Sequence, residues 1–137
     1  MKKFSIFIVA ILGMMCFIPV VASSQSKPLI YFCERYDDVL GEIGQSSTFT
    51  PGYFTVMAKA DAAMELSKVS IQIDRYDLNN EKFIFYKKVP FTIDPSMKYI
   101  YFESEKLSIE VPGVYRIYLL DEYDATVSTG IIIIKSK

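Results

Sequence analysis

The cleanest pattern in the chain is "KVSIQIDRY" (68–76), where Val69, Ile71 and Ile73 alternate with Ser70, Gln72 and Asp74. Side chains of a strand point alternately to its two faces, so a period of two marks a half-buried β-strand. "DLNNE" supplies a turn after it, and "KFIFYKK" (82–88) returns as an antiparallel hairpin partner. Most of the chain from residue 29 onward reads the same way. "LIYFCERY" (29–36), "YFTVMAK" (53–59), "MKYIYFE" (97–103), "KLSIEV" (106–111), "GVYRIYLLD" (113–121) and "TVSTGIIIIK" (126–135) are short apolar-rich runs. "VPFTID" (89–94) reads as a separate short strand that Pro90 confines to an edge or an end, since proline has no N–H for a ladder. Residues 37–52 form a long connection carrying Gly41, Gly44, Pro51 and Gly52. "ADAAMELS" (60–67) is too short for a helix of its own and is read as a loop pegged by Leu66. Short strands broken by regular turns predict an all-β fold, an antiparallel two-sheet sandwich of about seven to nine strands.

Some strands are apolar on both faces. In "GVYRIYLLD", Tyr115, Ile117 and Leu119 are expected to face the core, and Val114, Tyr118 and Leu120 to face outward with Arg116. In the next strand Ile131 and Ile133 are expected inside, which leaves Ile132 and Ile134 outside. In "FIFYKK", Ile84 and Tyr86 oppose Phe83 and Phe85. The outer face of an antiparallel sandwich is ordinarily polar. A greasy one made of Tyr76, Tyr86, Tyr118, Leu120, Ile132 and Ile134 would reach several hundred Å2, roughly the size that marks an interaction site. The alternatives are cover by the N-terminal segment or residues 37–52, and surface tyrosines placed by β-propensity alone.

"VPGVYRIYLLDEYD" (111–124) joins a strand end, a Pro-Gly corner and Gly-x-Tyr at the start of the next strand. This resembles the E–F corner of immunoglobulin-like and fibronectin type III-like sandwiches, whose corner tyrosine returns its hydroxyl to the backbone a few residues upstream. The resemblance gives that structural role to Tyr115. It also implies that the strands called G, F, C and C′ lie side by side in one sheet. Ile117 stands where an antibody domain has its second cysteine, and the tryptophan of strand C is missing, its place taken by Ile71 or Ile73. The likeness is therefore to the wider architecture and not to antibody domains. The chain is also similar to small exported bacterial proteins of unassigned function, a likeness that transfers no functional residue.

The N-terminus changes the picture from a fold to an address. Lys2 and Lys3 precede the uncharged run "FSIFIVAILGMMCFIPVV", and Val20 and Ala22 occupy the small-residue positions of a signal-peptidase site. Residues 1–22 are read as a signal peptide cleaved after Ala22, 23–28 as a polar lead-in, and 29–137 as a single sandwich domain. The uncleaved alternative is a membrane anchor. Cys16 follows Gly13-Met14-Met15, which does not fit a lipobox. Cleavage removes two of the fifteen basic residues and leaves thirteen against sixteen acidic ones, a net charge of −3. The expected location is periplasmic or extracellular, with no membrane span after cleavage.

Candidate chemistry is sparse. The chain has no histidine and no tryptophan, so His-based triads and His-ligated metals are ruled out. No basic patch points to nucleic acid. Cys33, with Ile30, Tyr31 and Phe32 around it, reads as a buried thiol. Loop carboxylates (Asp37, Asp38 and Glu42; Asp74, Asp77 and Glu81; Asp121, Glu122 and Asp124) lack the spacing of a calcium loop. No catalytic residue, cofactor or metal ligand is assigned. The expectation is a non-catalytic module of the cell envelope that binds another protein or itself. The alternative is a small secreted protein that binds a glycan or Ca2+.

Overall fold

A computed structural model describes residues 27–137; the signal-peptide reading lies outside the described residues. The strands are β1 (Leu29–Cys33), β2 (Arg35–Asp37), β3 (Gly41–Ile43), β4 (Thr48–Phe49), β5 (Gly52–Tyr53) and β6 (Thr55–Lys59). They continue with β7 (Lys68–Asp77), β8 (Lys82–Thr92), β9 (Tyr99–Phe102), β10 (Ser108–Ile109), β11 (Gly113–Leu120) and β12 (Thr126–Ile134). One sheet has the order β1-β6-β9 and the other β4-β12-β11-β7-β8; β2-β3 and β10-β5 form two small ladders. In immunoglobulin lettering these are A-B-E and G-F-C-C′. The chain is an all-β, immunoglobulin-like sandwich.

Residues 60–67 form a loop, with Met64 and Leu66 packed against the core. Several strand boundaries differ from the sequence reading: 29–36 divides between β1 and β2, and 53–59 between β5 and β6. "KFIFYKK" and "VPFTID" are one continuous strand, β8, and Pro90 lies within it opposite Ser70. That is tolerated because β8 ends the sheet, so only one of its sides has a ladder partner. The connection 37–52 is also more structured than expected. After β1, the chain makes the β2–β3 hairpin and then crosses to the other sheet, where β4 pairs in parallel with β12. Phe49 of β4 is thereby buried.

Between the sheets, Val56, Ala58, Ile100 and Phe102 meet Ile71, Ile73, Tyr115, Ile117, Leu119 and Ile132. Gly130 marks where β12 passes β1: a Cβ there would lie 2.9 Å from the Phe32 ring, so only glycine permits the approach.

Tyr115 has no exposed surface, and its hydroxyl donates to the Val111 carbonyl at 2.5 Å. The ring fills the core against Tyr86 (centroids 5.4 Å apart, edge-on), while the hydroxyl ties down the corner that would otherwise leave a carbonyl stranded. Burial pushes its phenol above the ordinary tyrosine range. Removing only the hydroxyl, Tyr115→Phe, is expected to cost about 0.5–1.5 kcal/mol. Removing the ring, Tyr115→Ala, is expected to cost about 3–5 kcal/mol. Urea denaturation of the two variants beside the wild type checks both figures.

Candidate functional site

The outer face of β12-β11-β7-β8 is set by register. Residues directly opposite each other in an antiparallel pair share a face. Tyr115 pairs with Ile132, and Arg116 with Ile131, so Ile132 belongs to the core side and Ile131 to the outside. The expected assignment of the four isoleucines is therefore reversed. Ile132 and Ile134 are buried, at 0% and 3% exposure, whereas Ile131 and Ile133 stand 42% exposed. Leu120 is buried as well, at 5% exposure, but it pairs with Ser70 and so keeps to the outer side of the sheet, apart from the core cluster. The register shift beside it leaves Val127 of β12 as the extra residue. Tyr86 is the extra residue of a second bulge: Ile73 pairs with Lys87 and Asp74 with Phe85. Its ring packs on Tyr115 from the core side. Of the residues proposed for the outer face, Tyr76, Tyr118 and Leu120 lie on that side by register, Leu120 covered rather than exposed; Tyr86, Ile132 and Ile134 do not.

The residues that replace them make the face more apolar still. Three rows run across the four strands. One holds Ile133, Val114, Tyr76 and Phe83; the next, Ile131, Arg116, Asp74 and Phe85; the third, Thr129, Tyr118, Gln72 and Lys88. Phe85 is 64% exposed and Val114 38%. The Arg116 guanidinium lies 4.2 Å from the Phe83 ring centre, and Tyr76 meets the same ring edge-on at 5.2 Å. Gln72 Nε2 donates to Asp74 Oδ1 at 3.0 Å, and Lys88 pairs with Asp124 at 2.5 Å. Charges of both signs are present and balance locally. Neither residues 37–52 nor the described start of the chain covers this face: the former add β4 to its margin, and Pro28 accepts from Ser128 Oγ beside it.

The outer face of β1-β6-β9 is handled differently. Ile30 and Phe32 enter the core, so Tyr31 and Cys33 point the other way, beside Thr55, Met57, Tyr99 and Tyr101. The β2–β3 hairpin folds over them. Tyr31 and Tyr99 both donate to Glu42 Oε1 of β3. The Tyr36 amide and the Thr55 hydroxyl donate to Glu103 at 2.8 and 3.0 Å, and the Tyr36 ring stacks on Tyr101 at 4.3 Å. Beneath it Cys33 and Met57 have no exposed surface. The Cys33 thiol donates to the Arg35 carbonyl at 3.3 Å, and burial pushes its pKa up, which makes it an unreactive packing thiol.

The loop carboxylates are occupied in turns. Asp37 accepts from the Val39 and Leu40 amides, Asp77 from Asn79 and Asn80, Asp94 from Ser96, and Asp121 from Tyr123 and Ala125. Those contacts hold Asp37, Asp77 and Asp94 below the usual carboxylate range. Among the described residues no three acidic or cysteine side chains gather around a common point. A polar groove of about 550 Å3 lies elsewhere, where Tyr53 stands 69% exposed near Gln45, Thr50 and Lys135.

No protein-family model matches the chain, and none of the curated proteins does. Among solved structures it is similar to the crystal structure of an immunoglobulin-like protein from Pseudomonas aeruginosa. The two are 10% identical, with 82% of this chain and 99% of the other covered and a TM-score of 0.47. That likeness transfers no residue role; the fold assignment rests on the strand order and the Tyr115 corner.

The register has a direct consequence for stability. Ile132→Ala is expected to cost about 2–5 kcal/mol as a core truncation. Ile131→Ala, one residue earlier, should stay within about 0.5 kcal/mol of wild type. Urea melts of dilute protein separate the two.

The hairpin gives an alkaline signature. Burial, reinforced by Glu42, pushes the Tyr99 phenol up to about 12 and the Tyr31 phenol well above the tyrosine range. Both groups hold their protons more tightly in the folded state. The stability they contribute is complete below the unfolded value of about 10 and is lost as pH rises through the folded values. Denaturation midpoints should fall from about pH 10 upward, and less steeply in Glu42→Gln, where burial alone keeps the phenols raised.

Proposed function

We propose that this chain is a non-catalytic, exported protein-binding or assembly module of a bacterial cell envelope, and that it binds through the outer face of β12-β11-β7-β8. The observation that carries the reading is the row pattern on that face. Val114, Ile131, Ile133, Phe85, Phe83, Tyr76 and Tyr118 lie together where an antiparallel sandwich ordinarily places polar side chains. A contiguous apolar patch of this kind is costly to leave in water and typically marks an interaction site. The aromatic residues and Arg116 are the types enriched in the energetic centre of interfaces. The chain's lack of histidine, and its engagement of loop carboxylates and Cys33 in structure, supports a binding role over catalysis. Export rests on the N-terminal pattern, residues 1–22.

A second reading is favoured by one observation, the exposed Tyr53 ring beside a polar groove, which suits stacking against a sugar. It is a single ring on one wall, and the sheet face offers a far larger contact area.

A photo-cross-linking phenylalanine analogue placed at position 85, in cells producing the protein, tests the main reading. Discrete adducts are expected from position 85. None is expected from Leu29, which is equally exposed at 64% on the opposite sheet. Equal labelling at the two positions, or none at 85, removes the face as a binding surface.

A further inference from the structure

We infer that the occupant of this face is a second copy of the chain, docked face to face about a two-fold axis running along the strands between β11 and β7. The inference rests on the reading of the face as an interaction surface, and deepens it by naming the partner. It follows from how the rows are ordered. The first two rows run from an isoleucine on β12 through two central residues to a phenylalanine on β8, and the third runs from Thr129 to Lys88. A two-fold axis along the strands maps β11 onto the partner's β7, and β12 onto the partner's β8, at equal height.

Every position then meets a complement. Ile131 and Ile133 of one copy lie against Phe85 and Phe83 of the other. Arg116 lies against Asp74, because these two are direct cross-strand partners within one copy and therefore share a height. Tyr118 lies against Gln72, again a registered pair. The alternative axis, across the strands through the central row, stacks Arg116 on Arg116 and Asp74 on Asp74. Like charges brought together at an interface are strongly disfavoured, so this axis is rejected.

Charge and area both fit. A self-complementary patch must be close to neutral, or two copies repel. Here Arg116 balances Asp74, and Lys88 is already paired with Asp124. Four strands about 4.8 Å apart, over five positions at about 3.4 Å, make a plate of roughly 330 Å2 in projection. The corrugation of the side chains enlarges that contact, which places the dimer in the small, concentration-dependent class of interfaces. Two facing sheets with strands nearly aligned also pack as sheets do within a domain. The other outer face offers no such plate, since the β2–β3 hairpin lies across it.

Sedimentation equilibrium of the purified protein, with the position-85 cross-link as a second readout, tests the dimer. The wild type is expected to approach twice the protomer mass as concentration rises, and the adduct to have that same mass. Arg116→Asp alone and Asp74→Arg alone should each weaken self-association by about tenfold or more, since like charges then oppose each other across the axis. The double swap, Arg116→Asp with Asp74→Arg, should restore it, while thermal melting of dilute protein falls modestly in the two singles, where like charges also face each other within one sheet, and recovers in the double. A dimer indifferent to both single swaps overturns the proposed geometry. A monomer whose adduct has some other mass overturns the second copy and leaves the binding face standing. A monomer with no adduct removes both.

Discussion

The register of β11 against its two neighbours is the constraint on which the rest depends. Pairing Tyr115 with Ile132 on one side and Arg75 on the other determines which residues of three strands enter the core. Because the strand period is two, a slip by one residue would send Arg116 inward and Ile117 outward, and every neighbour with them. The corner at Val111–Tyr115 holds that register at one end. The ring occupies the core volume and the hydroxyl spans back to the carbonyl four residues earlier, so rotating the strand would break both contacts at once.

With the register in place, the two sheets present different outsides. The three-stranded sheet is closed by its own chain: the hairpin inserted between β1 and β4 lays Tyr36 on Tyr101 and brings one carboxylate to two phenols. Buried Cys33 and Met57 beneath it form a second, small layer. Among the described residues the four neighbouring strands of the larger sheet have no such cover, and they carry the apolar and aromatic side chains. This asymmetry, more than the exposure of any single residue, gives the proposed assembly role its physical basis.

The strands themselves were largely legible. Alternation in 68–76 and the apolar runs flanked by turn residues are local properties of the chain, and the corner tyrosine carries a local motif. The β2–β3 hairpin was not legible. Its strands are three residues each, with no alternation to detect, and its stabilising contacts join Glu42 to Tyr31 and to Tyr99, 57 positions away. The outer face was half legible. Tyr76 and Tyr118 sit in clearly alternating segments; Tyr86 sits at a bulge, where the alternation reverses without a compositional mark. Four consecutive isoleucines have no period at all, so nothing local says which two are inside.

What the sequence determined by itself was the class of fold, the positions of most strands and the corner residue, because turn chemistry and hydrophobic spacing act over a few neighbouring residues. Only the tertiary structure decided which face each side chain of β8 and β12 presents. Cross-strand pairing and bulges set that orientation, and they are agreed between segments distant in the chain, where the backbone hydrogen bonds of one strand are completed by another.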